Sequence, residues 1–354
     1  MHSNIKYFKK NKIVSLDNFF NDVLYNKVYG YYSKKMPFGK DGDFITSPSI
    51  SPLFSEMIAI WIVSYWESLN KPKNFNVIEL GPGNGALYNI LIKTFRNFPE
   101  FEKNSNFYLF EKSEYLKKIQ KQIIRNKKIT WLSNFNKIKN GPVLFFGNEF
   151  FDAIPVKQYE KRKSQLYEHC VYLDKKNNIK KRLIKASAKN IKMIKKSKIL
   201  NKLKFIEYPK LGFEIIEPMV EKVNKLGGGI MLIDYGYIKQ KNLNSLQSIK
   251  KHKKNHLFSS LGNADITSLV NFELLKDYFT KRELHVEKIV SQNYFLKKIG
   301  ILERANILSL KMSFKEKADL FFRLKRLLDS NYMGDLFKVL LAHKKKKKKI
   351  VGFN

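Results

Sequence analysis

Cysteine is nearly absent: Cys170 stands alone. One thiol closes no intramolecular disulfide and builds no cysteine-based zinc site, which suits a reducing compartment. Arginine is scarce too. Of 68 Lys plus Arg only eight are Arg, although the excess over 31 Asp plus Glu leaves a net charge of +37. A surface selected to grip phosphates is expected to use Arg, whose planar fork matches phosphate oxygens where Lys offers a point charge. The excess therefore reads first as coding bias and a solvated surface, spread along the chain apart from the run Lys344 to Lys349. Binding of an acidic partner, RNA or anionic lipid, is the second reading. The most apolar early stretch, Met57 to Tyr65, is too short to span a bilayer and meets Glu67 at once, so no membrane span is expected. Met1 to Lys12 is polar and lysine-rich, without the apolar core of a signal peptide. The six histidines do not cluster in sequence; His252 and His256 have helical spacing but no acid pattern beside them, so no metal is expected.

What is present is a chain of 354 residues, 44% hydrophobic, enough for one large or two modest domains. Apolar spacing predicts helices over Leu16 to Tyr32, with Ser15 as N-cap, and over about Ser51 to Leu69. Between them lies a Gly-, Ser- and Pro-rich stretch, Ser33 to Pro52. Strands and helices then alternate, the mark of an α/β sheet. Strands are expected at Phe75 to Leu80, Phe107 to Phe110, Ile129 to Leu132 and Pro142 to Gly147, with helices at Gly85 to Phe95 and Ser113 to Asn126. Val156 to Phe205 breaks the rhythm with a hairpin, Gln158–Tyr159 near Tyr167–Tyr172, and a lysine-rich stretch. A helix from about Gly212 to Leu226 and a strand Ile230 to Asp234 resume it. Helices around Val270 to Tyr278 and Phe295 to Leu308, and strands at Leu284 to Val290 and Leu336 to Ala342, complete the pattern. The division expected is a helical extension with a lid loop over 1–70, a core in two parts over 71–155 and 212–343, an insertion over 156–211 and a basic tail over 344–354.

The strongest chemical signal is Val77-Ile78-Glu79-Leu80-Gly81-Pro82-Gly83-Asn84-Gly85, an apolar strand running into a glycine-rich turn that opens a helix. Gly81, Gly83 and Gly85 let a ligand lie on bare backbone beside the N–H groups of the helix end. A tight strand-to-helix turn uses glycines for its own sake, and Gly81-x-Gly83-x-x-Ala86 also satisfies the dinucleotide pattern. An acid at Glu79, however, would face a pyrophosphate with the wrong sign, whereas S-adenosyl-L-methionine carries a positive ammonium and a positive sulfonium. Glu111, ending the next strand, is placed for ribose hydroxyls in either case. The acid favours the methyl donor.

A second constellation, Asn148-Glu149-Phe150-Phe151-Asp152-Ala153-Ile154-Pro155, follows an apolar strand. Beyond the carboxyl ends of the strands Asn148, Glu149 and Asp152 should point toward the methyl, or else cap a helix. Methyl transfer is an in-line displacement for which the protein supplies position and electrostatics, and carboxylates suit a guanidinium. Asp43, in the stretch Gly42 to Pro48, belongs either to a lid reaching the cofactor or to an ordered crossover. Asp234 and Tyr235 are expected to line the substrate side. Gly262 to Thr267 reads as a turn leading into a helix, with Asp265 and Thr267 as caps or ligand contacts.

Together these segments resemble the MidA family of methyltransferases. The likeness rests on Gly30-Tyr31-Tyr32, Pro37 to Pro48, Glu79 to Gly85, Asn148 to Pro155, Ile233-Asp234-Tyr235-Gly236-Tyr237, Gly262 to Thr267, Phe295 to Ile301 and Met333 to Leu340, in order across nearly the whole chain. The chain departs from many relatives at Leu269 and Asn271, where they carry His and Asp. The resemblance implies a class I methyltransferase fold, a Rossmann-like, mostly parallel sheet, with S-adenosyl-L-methionine as cofactor. It implies arginine N-methylation of a protein, with an NADH dehydrogenase (complex I) subunit as target, in the bacterial cytoplasm or the mitochondrial matrix, and is compatible with a homodimer. The alternatives are a non-catalytic assembly factor on the same fold and an RNA methyltransferase.

Overall fold

The structure is a computed structural model that describes residues 13–34, 37, 43, 46–124, 129–239, 241–344 and 349–354. Met1 to Lys12, most of the lid stretch between Pro37 and Thr46, the end of the helix expected to reach Asn126 and residues 345–348 of the basic run lie outside them.

The central sheet orders its strands Ile129–Leu132, Ser105–Phe110, Phe75–Leu80, Val143–Asn148, Gly228–Tyr237 and Phe337–His343. The first five are parallel and the last is antiparallel to its neighbour. Phe75–Leu80 is buried along its whole length, as a parallel strand covered on both faces must be. From it the chain crosses to Ser105–Phe110 on one side, while Val143–Asn148 pairs on the other. Strand order thus reverses between Phe75–Leu80 and Val143–Asn148, and a crevice opens beyond their carboxyl ends. Both motifs singled out above, Glu79 to Gly85 and Asn148 to Pro155, begin there.

Alternation along the strands sends side chains to opposite faces. Val77, Leu144, Phe146 and Met231 pack under the helix Pro52–Ser68 through Phe54, Trp61, Tyr65 and Trp66. Ile78, Val143, Phe145, Ile230 and Leu232 pack under Lys210–Leu226 and Phe272–Thr280. The helix Pro52–Ser68 starts where expected: Ser51 accepts the Leu53 N–H at 3.3 Å and Pro52 supplies a preset φ. Helices expected at Ser113 and Val270 begin with side-chain caps from Ser113 and Asn271.

Several elements differ from the sequence expectation. The first helix stops at Tyr25, because the Asn26 side chain takes the Val28 N–H at 3.0 Å, and a separate turn Tyr31–Lys34 follows. The strand expected over Leu284 to Val290 is two short bridges, His285–Val286 and Val290–Ser291, on Phe337–His343. Gly300, with φ of 93°, splits the helix expected over Phe295 to Leu308. Helices Pro99–Asn104 and Phe314–Leu328 were not foreseen, although Ser313 and Glu316 form a capping box ahead of the latter. Asp265–Thr267 is a strand rather than a helix start, paired with Gln247–Lys250, and His252 lies in the hairpin turn beside it at φ of 60°.

The interruption after Val156 forms a second sheet. Gln165–Leu173 pairs with Lys157–Arg162, Ile179–Lys185 and the bridge Val14–Ser15, and Phe205–Tyr208 adds to the far side of Lys157–Arg162. The helix Leu16–Tyr25 packs Leu16, Phe19, Phe20 and Val23 against Val171, Leu173 and Ile266.

Trp66 tests the packing. It is 1% exposed, sits edge-on to Phe101 with ring centroids 5.4 Å apart, and donates its indole N–H to the Pro72 carbonyl at 2.9 Å. Trp66→Ala should lower stability by about 3–5 kcal/mol, whereas Phe314→Ala, at a site 87% exposed, should change it by no more than about 0.5 kcal/mol, both read from urea unfolding midpoints.

Candidate active site

Gly81, Gly83 and Gly85 take φ of 58°, 56° and 80°, the left-handed region that a side chain resists. At Gly81 a Cβ would also fall 2.9 Å from the Phe150 ring. The turn is therefore written into the sequence twice, once by backbone conformation and once by the close approach of the opposite loop. The Gln120 amide, fully buried, braces it by donating to the Gly83 carbonyl at 2.8 Å and to Glu111 Oε2 at 3.1 Å, while Trp131 donates to its oxygen at 2.9 Å. The Ser113 N–H holds Glu111 Oε1 at 2.8 Å. Both carboxylate oxygens are thus fixed, each with a lone pair left over for a ligand hydroxyl.

Across the crevice the chain leaves Val143–Asn148 and turns sharply at Glu149, whose φ of 52° is unusual for a residue with a side chain. Its N–H bonds the Ile233 carbonyl at 2.9 Å, and its Oε1 accepts from the Ser47 N–H at 3.3 Å and the Asn148 amide at 3.2 Å. Asp234 accepts the N–H groups of Phe151 and Asp152, at 2.8 and 3.2 Å, so it shapes the loop from beneath. Tyr235 donates its hydroxyl to Asp152 Oδ2. Asp265 is held by the Tyr32 hydroxyl at 2.9 to 3.0 Å.

Gly81, Gly83, Glu111, Glu149, Asp152 and Asp265 line one cleft of about 440 Å³, together with Tyr25, Tyr32, Phe110, Phe150 and Thr267. The Tyr25 and Tyr32 rings stack at 5.2 Å. Six expected residues stand off its wall. Gly85 is the helix N-cap, Asn148 orients Glu149, and Asp43 spends its carboxylate on the Tyr31 hydroxyl at 2.7 Å and the Lys251 N–H at 2.6 Å. Glu79 is 3% exposed, and its Oε2 has no hydrogen-bond partner among the described residues. Asp234 and Tyr235, expected as lining, act instead through Asp152 and its loop. Asn271 caps a helix, its side chain accepting the Leu274 N–H at 3.1 Å. Sequence reading missed Gln120, Tyr25 and Tyr32 as site residues: helical periodicity marks Gln120 as core, and only the hydrogen bonds show what it joins.

Residues 57–290 match the model of a family described as S-adenosyl-L-methionine-dependent methyltransferases. The chain belongs to that family. It is 28% identical over 352 residues to the mitochondrial protein arginine methyltransferase NDUFAF7 of Xenopus laevis, covering 92% of this chain and 80% of that one. Against the human protein of the same name the identity is 26%, covering 94% and 81%. A likely methyl transferase of Burkholderia thailandensis, solved with S-adenosyl-homocysteine, superposes with a TM-score of 0.81 at 20% identity over 96% of this chain and 90% of that one, and shares the class I fold.

The methyltransferase's cofactor is S-adenosyl-L-methionine, and the residues present fit it. The crevice offers bare glycine backbone, a carboxylate with free lone pairs at Glu111, and orphaned buried acceptors on Glu79, Asn148 and Asp152. Burial pushes Glu79 well above the usual carboxylate range, with the Glu111 charge adding to it. Burial therefore favours the protonated form of this acid, and a bound cation would favour its anion. Burial acts in the same direction on the other acids around the cleft. Burial raises Glu149 to about 8, with Asp152 adding to it, Asp265 to about 7 and Glu111 to about 6; Asp152 and Asp234 also rise. None of these six carboxyls pairs with a lysine or arginine side chain in a salt bridge among the described residues.

Stability should follow. Glu149 holds its proton up to about pH 8 in the folded chain but only to its ordinary value of 4.5 when unfolded. Between those values the native state binds more protons, so its stability falls as pH rises and the loss is complete above about pH 8. Glu149→Gln without ligand should match the wild type near pH 4.5 and exceed it by about 2–5 kcal/mol at pH 9, read from urea melts at both pH values.

Proposed function

We propose that this enzyme transfers a methyl group from S-adenosyl-L-methionine to an arginine side chain of a protein. The observation that carries the reading is the convergence of Glu149, Asp152 and Asp265, none of them in a salt bridge with a lysine or arginine among the described residues, on a cleft walled by the Tyr25 and Tyr32 rings; Lys27, Lys112 and Lys117 line the same cleft, with Lys112 Nζ 4.7 Å from the Tyr25 ring centroid. A guanidinium is the side chain that such a site suits. Its N–H fork matches carboxylates and its flat face stacks on aromatic rings. The names of the relatives support the same substrate class.

In this reading Glu79, Gly81, Gly83 and Glu111 hold the cofactor, with Gly85 shaping the turn and Asp43 fastening the neighbouring segment. S-adenosyl-L-methionine supplies an electrophilic methyl on a positive sulfur. Glu149 and Asp152 hold the guanidinium so that one nitrogen lies in line with that methyl. Asn148 and the Ser47 N–H aim Glu149, and Tyr235 aims Asp152. The bound cofactor would supply the methyl group and keep the electron pair of the bond to sulfur, and ionised Glu149 would take the proton that the substituted guanidinium gives up. A base whose free value lies near neutrality is matched to that task once the approaching cations have ionised it. An RNA substrate fits less well, because its phosphates would meet buried acids.

The target we propose is a subunit of NADH dehydrogenase during its assembly, in the bacterial cytoplasm or the mitochondrial matrix. No described helix is long and apolar enough to cross a membrane. Incubation with labelled cofactor and candidate subunits should place methyl groups on arginine, read by peptide mass spectrometry. Glu149→Gln should lower kcat by roughly 10²- to 10⁴-fold with little change in cofactor affinity. Label found on RNA or on lysine, or undiminished transfer by the variant, contradicts the reading.

A further inference from the structure

The far end of the sheet carries a second constellation that methyl transfer does not use. His285 pairs directly across from His343 on the neighbouring antiparallel strand. Glu287 follows two residues after His285, and its N–H continues the ladder to the Leu341 carbonyl at 3.0 Å. Residues i and i+2 of a strand share a face, and a directly opposed cross-strand residue shares it too. The three side chains therefore converge: Glu287 Oε1 lies 3.0 Å from His343 Nε2 and 3.5 Å from His285 Nε2, and their ligand atoms all fall within 4.8 Å of one another. Metal–ligand bonds of about 2.0–2.1 Å in a tetrahedron set ligand atoms about 3.3 Å apart, so small side-chain rotations bring all three onto one ion.

We propose that His285, Glu287 and His343 bind a divalent ion of the zinc class, through Nε2 of each imidazole and a Glu287 carboxylate oxygen. The surroundings suit this. His343 is buried, with its ring edge-on to that of His285 at a centroid distance of 5.3 Å. Lys344, next in sequence, turns its ammonium to Asn224 at 3.2 Å. His285 is exposed, which leaves a path for the ion and room for water at the fourth position. Gly229 pairs with His343 at the start of its parallel strand, which places the site at the sheet edge opposite the cofactor crevice. Its role is to fasten the last strand, and with it the start of the basic tail, to the loop after His285.

The test is titration of the full chain with ZnCl2, followed by calorimetry and thermal unfolding, with Co2+ absorption to report tetrahedral nitrogen and oxygen ligation. The wild type should bind one equivalent and melt at a higher temperature with the metal. Removing His343 leaves Glu287 without its buried partner and endangers folding, so the deciding variant is the exposed His285→Ala, which should lose affinity by roughly 100-fold and lose the thermal shift. His256→Ala, outside the cluster, should retain both. Equal binding by wild type and His285→Ala, or no binding by the wild type, overturns the assignment.

Discussion

Six carboxyls buried at one edge of a parallel sheet, without a lysine or arginine salt bridge among the described residues, constrain everything around them. An isolated buried carboxylate is too costly to maintain, so such groups hold their protons and wait for positive charge. Burial raises Glu79, Glu111, Glu149, Asp152, Asp234 and Asp265 alike, Glu149 to about 8 and Asp265 to about 7 but Glu111 and Asp152 only to about 6. A cofactor with two positive groups and a substrate with a guanidinium bring the missing charge. Binding of positive charge offsets the desolvation cost of these acids, which gives selectivity for cations.

The fold keeps that cost bearable by spreading it over rigid elements. Strand reversal between Phe75–Leu80 and Val143–Asn148 creates the crevice, and the hydrophobic layers on both faces hold its edges still. Around the acids, short hydrogen-bonded relays replace counter-ions. Gln120 joins Glu111 to the glycine turn, Asp234 carries the loop that bears Asp152, and Tyr32 and Tyr235 hold Asp265 and Asp152. These partners point each carboxyl without neutralising it, as an electrostatically preorganised site requires.

The parallel core was legible in the sequence because its strands are short, mostly apolar segments bounded by turn residues: Phe75 to Leu80, apolar but for Asn76 and Glu79, and Ile129 to Leu132, apolar but for Thr130, coincide with their observed bounds. The glycine turn and the loop at Glu149 were legible because both break those runs with residues that only a ligand or a special φ demands. Long-range partnership was not. Nothing local links Tyr32 to Asp265, 233 positions away, or His285 to His343. The Asp265–Thr267 segment was read as a turn leading into a helix because its polar turn residues resemble a cap, and Glu79 was read by the sign of its charge alone because burial is invisible in a motif.

The dependence of binding on charge is most directly measured by calorimetric titration of S-adenosyl-L-methionine at pH 7 in two buffers of different ionisation enthalpy. Buried acids that ionise to meet a cation must release protons, so the heat should differ between buffers by the equivalent of a sizeable fraction of a proton, and less when S-adenosyl-homocysteine, which keeps the ammonium but lacks the sulfonium charge, replaces the donor. Tight binding with identical heats in both buffers would contradict the account.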